Sequence, residues 1–139
     1  MSPQVSFTLN EGVEIVNSIV KKHVSRWKDG LSDLQRICIP KILNLEDVFA
    51  INATDGGKSA LFGIPVLVHL KISRNVALYP MFDVPICLDT IGVVVMPTKG
   101  LANNIVHVLN FHSLSRLIIS LQGQATQRGF RTHCLCLYL

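Results

Sequence analysis

A lysine followed by a hydroxyl and preceded by paired glycines is the first feature of this chain that implies chemistry. The stretch reads Ala53-Thr54-Asp55-Gly56-Gly57-Lys58-Ser59. Glycines in such a turn let backbone N–H groups close on an anion, because no Cβ stands in the way. The Lys58 ammonium would reach the outer phosphates of a triphosphate, and the Ser59 hydroxyl would coordinate Mg2+. A helix starting at Ala60 adds the partial positive charge of its N-terminus. Read this way, Thr54, Asp55, Gly56, Gly57, Lys58, Ser59 and Ala60 form a cradle for ATP, with Mg2+ as its companion ion. The plain alternative is a glycine-rich turn with a solvated lysine, because Gly-Lys-Ser alone is a short motif.

A phosphate cradle of this kind needs a strand before it and a helix after it. Val48-Phe49-Ala50-Ile51 is a short apolar run, the pattern of a strand buried on both faces, and the apolar stretch Ala60–Leu70 reads as the helix. Upstream, Glu11–Val24 places Ile15, Val16, Ile19, Val20 and Val24 on one helical face. Thr8-Leu9-Asn10-Glu11 offers it a capping box, and Lys21, Lys22 and Arg26 suit the negative end of its dipole. A second helix is expected over Asp33–Leu43, ended or bent by Pro40, with Asn44–Asp47 as the turn after it. Ser32-Asp33-Leu34-Gln35 is a further capping box, in which Gln35 bonds back to the helix start.

Beyond the cradle, residues 71–90 hold Pro80 and Pro85 without periodicity and read as a surface loop. Ile91–Met96 is a second buried strand stopped by Pro97, Leu101–Leu109 a helix, and Leu117–Leu121 a third strand. Strands alternating with helices predict an α/β fold, a parallel sheet flanked by helices. Residues 1–30 form an N-terminal helical segment, 31–121 the α/β part and 122–139 an irregular tail.

At 139 residues the chain has the size of one domain. It is 49% hydrophobic and 16% charged, with a mean hydropathy of +0.41, which excludes disorder as the main state. So apolar a chain suggests surface meant for burial, with a partner chain as one cover for open sheet edges. No apolar run reaches the roughly 18–20 residues of a membrane helix, and the N-terminus lacks the layout of a secretory signal. The expectation is an intracellular chain with no membrane partner. All nine carboxylate side chains lie between Glu11 and Asp89, while the last fifty residues carry Lys99, Arg116, Arg128 and Arg131. That basic balance suits a polyanion or simply a basic surface. Cys38, Cys87, Cys134 and Cys136 form no CxxC pair and read as reduced, mostly buried thiols; His133 beside the last two lacks further ligands at metal-site spacing.

Three blocks in order resemble superfamily 2 (DEAD/DEAH-type) helicases, most closely the RecQ-type DNA helicases. They are Leu34-Gln35-Arg36-Ile37-Cys38-Ile39-Pro40, Ala53–Ser59, and Val95-Met96-Pro97-Thr98-Lys99-Gly100-Leu101-Ala102, within roughly residues 27–110. The resemblance implies part of a RecA-like P-loop NTPase lobe in a nuclear, ATP-dependent 3′–5′ DNA helicase that hydrolyses ATP and binds single-stranded or forked DNA. It assigns adenine reading to Gln35, an amide able to pair bidentately, and nucleic-acid backbone contact to Thr98 and Lys99.

The chain also departs from that pattern. Asp55 stands where the family usually has glycine, and Ser32 where RecQ-type proteins commonly carry a basic residue. A carboxylate about 4 Å from a phosphate charge costs on the order of 4 kcal/mol at an effective dielectric near 20, so Asp55 is expected to weaken ATP affinity. Hydrolysis requires a carboxylate box of the Asp-Glu-x-His type and an arginine from a second lobe. No Asp or Glu follows residue 89, so these residues are expected to bind nucleotide without hydrolysing it or unwinding DNA alone. A small nucleotide kinase or GTPase would show an Asn-Lys-x-Asp or a downstream Mg2+ carboxylate, and neither is present. A noncatalytic interaction fragment is the remaining rival, and it predicts no stabilisation by ATP.

Overall fold

The computed structural model describes residues 6–24, 27–53 and 56–82 in full, and the backbone of 91–96, 117–121 and 134–138. Helix α1 spans Asn10–His23 and buries Val16, Ile19 and Val20, with Val24 closing the same face. Its start differs from the expected capping box. Leu9 is the N-cap residue and provides no side-chain bond, while the Thr8 hydroxyl sits 2.8 Å from that of Ser6. The cause is the neighbouring ring: Phe7 is buried and stacks on Phe82, centroids 4.2 Å apart and planes 8° from parallel. Burying an aromatic side chain contributes about 1.5–3 kcal/mol, against roughly 1 for an N-cap, so the ring sets where the helix begins.

Helix α2, Asp33–Leu43, keeps its expected bounds but contains Pro40 in its interior. The proline neither ends the helix nor stops the three residues after it. It forfeits one backbone bond, but Pro40 itself is fully buried beside Ile39, Ile42 and Leu43, and that burial offsets the loss. The helix ends in a Schellman motif: Leu45 N–H donates to the Ile42 carbonyl at 3.0 Å and Glu46 N–H to that of Lys41 at 3.0 Å. Leu45 takes the left-handed backbone there, φ 62°, a place that favours glycine. Cys38 is buried in the same packing, and burial pushes its thiol pKa up.

Two polar links tie α1 to α2 and its approach. Asn17, 2% exposed, accepts from the buried Leu31 N–H at 2.9 Å. On the surface Arg36 pairs with Glu14 at 2.9 Å, and that bond holds the Glu14 carboxyl below its ordinary pKa.

Residues 46–53 are not the strand expected at Val48–Ile51. Val48 and Ala50 pack against the core, whereas Phe49 is 91% and Ile51 80% exposed. The alternation belongs to an extended segment covered on one side; among the described residues it has no ladder partner. Helix α3 covers Ala60–Arg74, four residues beyond the expected Leu70, so the loop expected from residue 71 starts only after a 3₁₀ turn at Val76–Leu78. Helix α3 is buried almost all round, the mark of a central element, and Phe62, Ile64, Val68 and Ile72 bind it into the core with Val16, Val20 and Ile39.

Strands β1 (Ile91–Met96), β2 (Leu117–Leu121) and β3 (Cys134–Tyr138) complete the described elements. The order is β2-β1-β3, and both pairings are parallel, Val94 opposite Ile119 and Val93 opposite Cys136. The third strand falls in residues 122–139, where an irregular tail was expected; Cys-Leu-Cys-Leu-Tyr is a short run of the kind a pleated ladder accepts. The helix expected at 101–109 lies outside the described residues.

Candidate nucleotide site

Hydrogen bonds link residues 52 and 53 to residues 56 and 58. Gly56 N–H donates to the Ala53 carbonyl at 3.0 Å. Asn52 spans the same turn: its Oδ1 accepts from Ala53 N–H at 2.9 Å, and its Nδ2 donates to the Gly56 carbonyl at 3.0 Å. A Cβ on Gly56 would collide with that amide. Gly57 has φ +73°, a left-handed conformation that strains any residue with a side chain. Helix α3 then begins with tight three-residue bonds, Ala60 N–H to Gly57 O at 3.2 Å and Leu61 N–H to Lys58 O at 3.0 Å.

Lys58 folds back over the turn that carries it. Its Nζ donates to the Asn52 and Ala53 carbonyls, both at 2.6 Å. The ammonium is therefore held on the main chain that enters the turn. Ser59, half-buried, is the N-cap residue of α3, with helical backbone and no cap bond from its side chain. That leaves its hydroxyl suited to a metal or phosphate oxygen. Ala60, 8% exposed, anchors the helix start in the core.

Gln35 joins the site from α2. It is 5% exposed; Oε1 accepts from Ser32 N–H at 3.0 Å and Nε2 donates to the Gly57 carbonyl at 3.2 Å. The same amide thus completes the helix cap and grips the loop. A primary amide has two hydrogens and two acceptor lone pairs, so each end keeps one for a further partner. A Cβ on Gly57 would stand 2.6 Å from Nε2, a second reason for glycine there.

Gln35, Gly56, Gly57, Lys58, Ser59 and Ala60 are therefore brought together by the packing of α2 on α3. Thr54 and Asp55, and Thr98 and Lys99, lie outside the described residues. Sequence reasoning missed Asn52. The available signal was an asparagine at the mouth of a glycine turn, where its short amide bonds to nearby backbone. Among the described residues no three His, Cys, Asp or Glu gather as a metal site, and no helix is long and apolar enough to cross a membrane.

The family model described as DEAD/DEAH box helicase matches residues 32–133. That span begins at the α2 cap and runs past the boundary at 121 expected from sequence. The ATP-dependent rRNA helicase RRP3 of Encephalitozoon cuniculi (strain GB-M1) is 28% identical over 128 residues, 87% of this chain and 29% of the relative. The chain thus spans less than a third of the length of the curated relative it matches. No solved structure matches it.

Proposed function

The chain belongs to the DEAD/DEAH box helicase family, which implies a RecA-like fold, and on that premise we propose that it supplies the ATP-binding corner of a helicase lobe. In this reading the lobe is a parallel sheet flanked by helices. Gly56, Gly57 and Thr54 line the phosphates, Lys58 neutralises their charge, Ser59 holds Mg2+ and Gln35 reads adenine. ATP with Mg2+ supplies the phosphoryl chemistry of the family. This chain's own residues bind and orient the nucleotide. The observation that carries the reading is one turn that joins the left-handed Gly57, the Lys58 ammonium held on the Asn52 and Ala53 carbonyls and, through its bond to the Gly57 carbonyl, the buried Gln35 amide.

Two partners compete for the nucleic-acid side. The motif pattern around Gln35 and Val95–Ala102 favours a RecQ-like DNA helicase in the nucleus, with Thr98 and Lys99 on the backbone. The similarity to an rRNA helicase favours RNA. Matched single-stranded DNA and RNA oligonucleotides, titrated at one salt concentration, separate them. Binding is expected without ATP hydrolysis or unwinding, because no carboxylate follows Asp89 in these 139 residues.

The test of the site is thermal stability with and without Mg-ATP, native chain against Lys58→Ala. Ligand at 100 times its dissociation constant stabilises by about 2.7 kcal/mol. The native chain is expected to shift and the variant not to. No shift in the native chain would instead favour the interaction fragment, with a partner chain over its sheet edges.

A further inference from the structure

The C-terminal ends of α1 and α3 bring positive charge together without a counter-charge. The last turn of α1 carries Lys21, Lys22 and His23, and that of α3 carries Lys71 and Arg74. Val16 and Val20 of α1 share one core cluster with Val68 and Ile72 of α3. The helix ends meet at His23, where the ammonium groups of Lys71 and Lys22 both act on the imidazole. Arg74 follows Lys71 by three positions, a neighbour on the same helical face. Lys22, His23 and Arg74 are exposed and Lys71 is half-buried, while Lys21 turns away toward Gly30 and Glu14.

Helix C-termini favour cations, but that does not account for this group. Asn75 already meets two of the last carbonyls of α3: its Nδ2 donates to that of Lys71 at 2.8 Å and its N–H to that of Ile72 at 3.0 Å. Residues 60–82 contain no carboxylate side chain. Glu14 stands eight positions before Lys22, about 12 Å along the helix, and forms with Arg36 the one ion pair among the described residues. The dipole of α1 favours a protonated His23, yet burial and the two ammonium groups hold its imidazole below the ordinary pKa.

We propose that Lys22, His23, Lys71 and Arg74 form a second nucleic-acid surface, which holds the phosphate backbone of a strand by charge. It uses none of the residues that the family motifs supply, and it lies at the other end of α3 from Lys58, 15 residues or about 22 Å of helix. Membership of a helicase family favours nucleic acid over an acidic peptide as the polyanion. Backbone contacts position a strand without reading its sequence, so RNA and DNA of one length bind alike. The surface needs no nucleotide and does not rest on the ATP-binding reading.

The experiment is fluorescence anisotropy of oligouridylate and oligothymidylate of equal length on the full chain, without nucleotide, over a range of salt. Lys71→Gln is matched with Lys41→Gln, a last-turn lysine of α2 whose loss changes net charge equally. Each phosphate contact on a single strand contributes about 0.7 to the slope of log affinity against log salt. The slope should fall by about 0.7 in Lys71→Gln and about 1.4 in Lys22→Gln/Lys71→Gln, and stay native in Lys41→Gln. The His23 imidazole, followed by NMR, should titrate at higher pH with oligonucleotide bound, because a nearby phosphate favours its charged form. Equal slope changes in Lys71→Gln and Lys41→Gln would be a net-charge effect and overturn the proposal, as would an unmoved His23 or no binding by the native chain. A slope that falls only in Lys99→Gln overturns it too and leaves the family motif as the nucleic-acid contact. A polyglutamate peptide bound more tightly than either oligonucleotide overturns it in favour of an acidic protein partner.

Discussion

Gln35 and Lys58, the first bonded to Gly57 and the second next to it in sequence, are held by different physics. Gln35 is 5% exposed and set on α2, whose apolar face is locked into the core by Ile39, Ile42 and Leu43. Lys58 rides on a turn closed by short, solvent-accessible bonds from Asn52 and Ala53. Buried polar bonds are costly to break because each partner would be left without water; exposed ones exchange with solvent at small net cost. One wall is therefore rigid and, under the proposed function, fixes where the nucleotide sits. The other is compliant, held by exposed bonds that exchange with solvent.

The largest expected effect lies in the rigid wall. Ile39→Ala removes a fully buried side chain and should cost about 2–5 kcal/mol in chemical denaturation. Phe49→Ala, at 91% exposure, should stay within about 0.5 kcal/mol. Equal losses would erase the contrast. Next, Asn17→Ala strands the buried Leu31 N–H and should cost about 1–3 kcal/mol. Its nucleotide affinity at low temperature should stay native, since the hydrogen bonds of Asn17 among the described residues lie at Leu31 and Glu14, outside the turn.

Leu45→Gly should act in the opposite sense, relieving the left-handed leucine at the end of α2 and stabilising by up to about 1 kcal/mol in the same assay. Within the glycine motif, Asp55→Gly should tighten ATP binding without moving the melting temperature. A titration in which it binds no tighter would discard the electrostatic account of that residue.

The smallest effect comes from His23 at the end of α1. Burial, with the Lys71 and Lys22 ammonium groups, holds its imidazole below the ordinary histidine pKa. The unfolded chain then binds the extra proton more readily. Stability from this group is present above about pH 6.5 and is lost as pH falls through that value toward the folded pKa. Melting curves between pH 7.5 and 5.5 should show a shallower decline for His23→Gln than for the native chain.

Sequence alone exposed the rigid wall well. The 3.6-residue spacing of Val16, Ile19 and Val20 and the Ser32/Gln35 pair mark α1 and α2, because helical burial repeats within a few neighbours. It exposed the compliant wall as a motif but not as a shape. Nothing local says that Lys58 turns back onto residues 52 and 53, or that Gln35 grips Gly57 across twenty-two positions. Pro40 and Val48–Ile51 show the same gap from the other direction. A helix survives a proline when its far side is buried, and an apolar run becomes a strand only when a neighbouring strand offers a ladder. Both conditions are tertiary.

The central claim is that the turn grips a phosphate tail through Lys58, and a ligand series tests it most directly. Affinities of the native chain for ATP, ADP and AMP with Mg2+, repeated with Lys58→Ala, should fall in that order, with AMP far weakest and the preference gone in the variant. AMP bound as tightly as ATP, or a preference that survives loss of the lysine, would contradict the account.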